Sequence, residues 1–464
     1  MYKSKKLIAA VLGCALVCGG LTACQNANVG NNDGKIKLSV GNWPTESKPA
    51  DLERSNKFKQ ELESRNPNIE VVGDTWSYDV SSFLPKASSG QLPTVYATHF
   101  TEIKKIIEAG YAADITEQME RNGYTDSLSD AMKNMVSADG KLYAVPDSAY
   151  ITGLCVNMNL FTQAGLLNAD GTPKIPQTYE ELVQTAKIIK EKTGKAGFAL
   201  PTMKNQGGWQ FMNLAWSFGT EFMAKENGKW VAKFDSEPCV AALQYFKDLK
   251  WDAQVLPDSG LLVLDDLAKL FATDQLAMAF SDPSYFTKVL VSDYKMDRNA
   301  IAIGSLPEGP AGRYSLMGGG VFVISPTATP EQIDAAFQWF EVTGNSPKVM
   351  ENSVAAWESA YEIQNQQGYV VGVKPYTVWG NSEITRKRNE VLERFTNVNK
   401  AFFKEYEAFD TVTIRAEEPV NCQELYKVLD DCIQQVLTDK SADPAQVIKK
   451  AAADFQANYL DKAQ

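Results

Sequence analysis

The sequence predicts an α/β protein, and three observations lead there. From Lys35, the stretch KIKLSVGNWP reads as a short apolar strand, followed by a helix and then a second strand, IEVV, an order that implies parallel pairing. Further on, KIPQTYEELVQTAKIIKEKTGKAGFALPT reads as a capped amphipathic helix running into another strand. Finally, 44% hydrophobic and 22% charged residues over a length of 464 is ordinary globular composition, enough chain for about two or three core-sized units.

The chain opens with Lys3, Lys5 and Lys6, an apolar run from Leu7 to Leu21, and small residues before Cys24. That order is the one an export signal requires, and the run is too short to span a bilayer. Residues 1–23 are therefore expected to be a signal peptide, and residues 24–35, polar and rich in Asn and Gly, a flexible tether. Leu21-Thr22-Ala23-Cys24 resembles a bacterial lipobox, which implies a diacylglyceryl group on the Cys24 thiol, cleavage just before it, and an extracytoplasmic protein anchored to the cell membrane by lipid. The competing reading is an ordinary signal peptide that releases a free secreted protein.

Without residues 1–23 the chain keeps 43 basic against 57 acidic residues, a net charge of −14 compared with −11 for the whole. Such a chain lacks the concentrated basic face that nucleic acid demands, so no nucleic-acid partner is expected. Cys155, Cys239, Cys422 and Cys432 carry no CxxC spacing, and neither a disulfide framework nor a metal site is read from them.

The helices carry their own punctuation. In the first, Leu52, Phe58 and Leu62 share a face that ends at Asn66-Pro67. Thr178 and Glu181 form a capping box ahead of Leu182, Ala186 and Ile189, and Gly194 stops that helix before the expected strand GFAL. Thr329, Pro330 and Gln332 open a helix whose buried stripe is Ile333, Ala336, Phe337 and Phe340. Leu425, Leu429, Ile433 and Val436 mark another helix, and Asp443-Pro444 starts the last, with Val447, Ala451 and Phe455 inward.

The order of features in LYAVPDSAYITGLCVNMNLFTQAGLLNADGTPKIPQTYEELVQTAKIIKEKTGKAGFALP resembles the extracellular solute-binding proteins, family 1. The residues that carry the resemblance are Val145-Pro146, Asn157, Leu160-Phe161, Ala164-Gly165-Leu166, Pro176 and Thr178; Cys155-Val156 departs from the Tyr usual before that Asn. It continues through GSLPEGPAGRYSLMGGGVFVISPTATPEQIDAAFQWFEVTG and the closing IQQVLTDKSADPAQVIKKAAADFQANYL, whereas about 346–420 matches poorly. The resemblance implies a two-lobe periplasmic-binding-protein-like (Venus-flytrap) fold of type II, with hinge crossings between the lobes. One lobe is expected to take 36–146 and 307–350, the other 147–306 and 351–464. It implies further a monomeric, non-enzymatic receptor without cofactor, which captures a carbohydrate and delivers it to the membrane permease subunits of an ATP-binding cassette importer.

A sugar offers hydroxyls and an apolar C–H face, so its site needs flat aromatics beside amides, carboxylates or hydroxyls. Strand ends supply the candidates. Trp43 follows the first strand, with Glu46 on the same turn; core packing and a solvated helix start compete for these two. His99, the single histidine, ends a strand and enters a helix, and excludes any multi-histidine metal site. Trp209 is expected on a Gly-rich loop ahead of the helix FMNLAWSFG, as the best stacking platform, while Trp216 is expected in the core. Asp282 and Tyr285 follow an apolar strand, where an N-cap role for Asp282 competes with sugar binding. Gly319 and Gly320 either admit close backbone approach to ligand or make a tight turn. One of Trp357 and Trp379 is a further candidate for lining the cleft.

Two other classes compete. With 57 acidic residues a hydrolytic carboxylate pair stays open, although GxSxG, HExxH, P-loop and GxGxxG signatures are absent. A surface adhesin that holds glycan without importing it is the third.

Overall fold

The computed structural model describes residues 34–380 and 382–462. The expected signal peptide, Cys24 and most of the tether lie outside the described residues.

The strand Ile36–Val40 buries Leu38 and Val40 and pairs in parallel with Ile69–Gly73, and through Val40 with Val95–His99. Between the first two runs the Pro49–Arg65 helix, with Pro at its first position, burying Leu62 and half-burying Leu52 and Phe58. Pairing is thus parallel where the strand, helix, strand order predicts it. The remainder of this six-stranded sheet is mixed, because the long strand Tyr314–Ile324 runs antiparallel to both Val95–His99 and Ala144–Ile151, and parallel to Thr413–Ala416.

A second sheet has three strands, with Gly153–Asn157 antiparallel to Met278–Ser281 on one side and Ile301–Gly304 on the other. The expected GFAL strand is not a full member. The Gly197 amide bonds to the Val255 carbonyl, while Ala196 and Ala199 make only isolated parallel bridges to Leu276 and Ala279, so its backbone is divided between two neighbours.

The chain changes sheet at Thr152, with Pro146 still paired to Val321. It returns between Gly304 and Tyr314. Asn213, fully buried on the Gln206–Phe218 helix, ties both passages together: its Oδ1 accepts from the Thr152 hydroxyl at 2.9 Å and from the Leu316 amide at 2.7 Å.

Each sheet has a large core beside it. One gathers Leu38, Val71, Phe100, Val321, Phe337 and Phe340; the other gathers Leu154, Phe161, Leu182, Phe211, Trp216, Phe246, Ile433 and Phe455. Val378, Trp379 and Ile384, from the segment that resembles the family poorly, pack into the first. This is the mixed α/β, two-lobe architecture expected from the resemblance.

The caps form largely as read. Thr329 and Gln332 satisfy each other's backbone reciprocally, and Asp443 accepts from the Ala445 amide. At Thr178 the hydroxyl accepts from Glu181, but the Glu181 carboxylate reaches the amide of Gln177, one residue outside the predicted box. Cys155, Cys239, Cys422 and Cys432 are buried free thiols. Among the described residues no helix is long and apolar enough to cross a membrane.

Candidate solute-binding cleft

A cavity of about 430 Å³ opens where the end of the Val95–His99 strand faces the start of the Gln206–Phe218 helix. One wall carries Tyr78, Asp79, His99, Thr101 and Gly319, the facing wall Lys204, Asn205, Gln206, Trp209, Glu417, Gln423 and Tyr426, and Tyr150 from the crossing strand joins them.

Three of the predicted residues meet here: His99, Trp209 and Gly319. His99 ends its strand, pairs with Gly320 and is exposed. Trp209 lies in the first turn of its helix and not on a preceding loop, with its ring edge-on to Tyr150 at 6.1 Å. The glycines before it serve packing: a Cβ on Gly208 would come within 2.2 Å of the Tyr426 carbonyl oxygen. Two helices approach at that point more closely than any side chain allows.

Asp430, 3% exposed, fixes this helix start. Its two carboxylate oxygens accept from the amides of Asn205 and Gly208, each at 2.7 Å, taking up donors that the first turn leaves without intrahelical partners. Burial pushes the Asp430 carboxyl up, and the amides of Gly208, Asn205 and Gly207 oppose that. Asn205 also donates its side-chain amide to Gln423, so Trp209 and Tyr426 are held on one rigid wall.

Each wall bears a tyrosine hydroxyl bonded to a carboxylate. Tyr78 donates to Glu102 and Tyr426 donates to Glu417, both at 2.6 Å. Burial pushes the Glu417 carboxyl up to about 7, against the Tyr426 hydrogen bond, and the charge of Glu102 across the cavity adds to the rise.

Gly319 is within the long strand and not in a turn. A Cβ there would come 2.1 Å from the Ser148 carbonyl oxygen and into Phe100, so the glycine admits close strand approach. Gly320 pairs with His99 and Ser148 beside a register shift and does not line the cavity.

The other predicted residues lie elsewhere. Trp43 is half-buried, its ring 5.9 Å from Trp339 and lying over Gly73, where a Cβ would meet the indole at 2.4 Å. Glu46 is exposed beside the Pro49–Arg65 helix. Asp282 caps the Pro283–Ser292 helix by accepting from Ser284, and burial raises its carboxyl above the usual range. Tyr285 is 46% exposed. Trp357 and Trp379 border a separate cavity of about 240 Å³ with Asp147, Tyr376 and Arg388, and Trp216 is core, as expected.

Sequence reasoning missed Tyr78, Tyr150, Glu417, Gln423 and Tyr426. Tyr150 carried a usable signal, its place at the end of the crossing strand; the last three carried none, because helix packing brings in Gln423 and Tyr426 and distant strand pairing brings in Glu417.

The fold, with a cavity between residues of both cores, is that of a solute-binding receptor, and the chain belongs to the bacterial extracellular solute-binding proteins, whose family profile matches residues 49–379. A Brucella abortus (strain 2308) protein described as a binding protein is 21% identical over 61% of this chain, which spans 66%, just under two thirds, of that relative's length. The arabinooligosaccharide-binding protein of Bacillus subtilis (strain 168) is 22% identical over 354 residues, 74% of this chain and 73% of that one. Among solved structures, maltose-bound T. maritima MalE3 superposes with a TM-score of 0.63 over 91% of this chain and 99% of that one, at 19% identity.

Proposed function

We propose that this chain captures a sugar, with an oligosaccharide as the favoured class, for an ATP-binding cassette importer, and is tethered to the cell membrane through lipid on Cys24. The observation that carries the reading is the lining of the cleft: Trp209, Tyr150, Tyr78 and Tyr426 offer ring faces and edges beside amides, carboxylates and a histidine. Relatives named for arabino-oligosaccharide and maltose support the same class.

Capture needs no chemistry. The solute enters between the walls, touches both, and stabilises the shut form that the permease subunits recognise; closure is hinge motion about the passages near Pro146 to Thr152 and near Gly304. The lobes are read as 36–146 with 307–350, and 147–306 with 351–464, although Val378, Trp379, Ile384, Phe403 and Tyr406 pack into the first core and Thr413–Ala416 pairs in the first sheet. To shift the population the solute must prefer the shut form by a few kcal/mol.

A thermal-shift screen against arabino-, malto- and xylo-oligosaccharides tests the solute class, because a compound that binds only the folded form raises the midpoint. Trp209→Ala should lose about tenfold or more in affinity with the empty protein's melting temperature nearly unchanged. Release of reducing ends from any glycan that binds would overturn the receptor reading. Intact-mass measurement of membrane-extracted protein should find an acylated Cys24 at the N-terminus; a soluble protein cut elsewhere would remove the anchor.

A further inference from the structure

Among the described residues that line the Trp209 wall of the cleft, Glu417 is the carboxylate, and its neighbours define its task. It lies between the strand Thr413–Ala416 and the Cys422–Thr438 helix, accepts from the Tyr426 hydroxyl at 2.6 Å through Oε1, and lines the cavity. That bond engages Oε1 and not Oε2. Resting on the solute-capture reading, we propose that Glu417 is the cleft's specificity-determining acceptor: its carboxylate takes a hydroxyl or ammonium donor from the bound solute.

Several titratable groups surround it. Tyr426 and Cys422 face it from their shared helix, Glu418 is its chain neighbour, Glu102 faces it from the Phe100–Glu108 helix, and Tyr150 from the crossing strand. Asp79, His99 and Lys204 line the same cavity. In the empty protein burial and Glu102 hold the proton on, at a pKa of about 7. A donor from the solute favours the charged form, so binding below neutrality is coupled to loss of that proton. Affinity should therefore weaken about tenfold per pH unit below 7 and level off above it.

The test has two arms. Protein carrying ¹³Cδ-glutamate is titrated by NMR without ligand, and the resonance missing from E417Q should move with a midpoint near 7. Arabinotriose and maltotriose then serve as probes in calorimetry at pH 6 and pH 8. A probe that binds should release about one proton at pH 6 and bind far more tightly at pH 8, and E417Q should bind weakly with no pH dependence. A midpoint below 5, or a probe bound equally by E417Q and wild type at both pH values, overturns the proposal. If neither trisaccharide binds, the choice of solute class is what fails, and the NMR midpoint still decides the state of Glu417.

Discussion

The wall that carries Trp209 is pinned by a buried carboxylate, whereas the wall that carries His99 is held by strand pairing and one tyrosine–carboxylate bond. On the Trp209 side, Asp430 accepts two backbone amides and Gly208 abuts the Tyr426 backbone, so ring and helix move as one body. On the other, Tyr78 lies in a segment without regular structure, and its hydroxyl donates to Glu102. The difference implies a division of labour: a preformed platform receives the solute's flat face, and a more adaptable wall closes over it. Preorganised stacking loses less on binding than a platform that must be ordered.

Asp430→Ala should be the most damaging way to break this asymmetry. Two hydrogen bonds to a buried charge vanish and two amides are left unpaired, a loss of about 3–5 kcal/mol. Thermal unfolding measures the loss, and the Trp209 emission of the folded fraction should shift towards that of a wetter ring. A variant with wild-type stability would show that helix packing alone positions Trp209.

Legibility in the sequence divides along the same line. Caps and apolar stripes were readable because their signals are local: Thr329 with Gln332, Asp443, and the stripe from Leu425 to Val436 all stand as read. His99 was reachable because strand ends face the cleft in such folds, and Gly319 because a run of glycines admits close backbone approach. Trp43 satisfied the same rule, yet the space above Gly73 lets its indole fold back onto Trp339, a contact between residues far apart in sequence. Gln423 and Tyr426 depend on how one helix packs on another, and Glu417 on the pairing of the Thr413–Ala416 strand just before it, and no spacing along the chain announces either. The glycines before Trp209 looked like flexibility, but the structure uses them for contact.

Glu417 sharpens the comparison through pH. Its folded form keeps a proton that the unfolded chain releases at the usual 4.5, so between 4.5 and about 7 the native state binds more protons and stability falls as pH rises. Glu417→Gln should remove that slope, leaving stability alike near pH 4 and raising it by up to about 3 kcal/mol at pH 8. Glu418, also pushed up to about 7 by burial, contributes a slope of the same sign, so the comparison must be variant against wild type. Equal unfolding midpoints at pH 8 would refute the raised value.

Gly319→Ala tests the adaptable wall. The added methyl meets the Ser148 carbonyl oxygen and Phe100, and relief requires the two strands to part, which costs about 2 kcal/mol. Because these strands border the cleft, affinity for a bound trisaccharide should fall together with thermal stability; a stable variant with unchanged affinity would separate the crossing strands from capture.

Tyr78→Phe is the mildest expected change. It removes the hydroxyl that Glu102 accepts and leaves that carboxylate with Thr101, whose hydroxyl sits at 3.3 Å. The ring remains in place against Phe83, at 5.2 Å between centroids, so the loss is that of one hydrogen bond to a charged group, about 1–2 kcal/mol. Set beside Asp430→Ala, the ratio of the two unfolding shifts measures how unequal the walls are. If Tyr78→Phe destabilised the protein as much as Asp430→Ala, both walls would be equally anchored, and the preformed platform would have to give way to a cleft that is rigid on both sides.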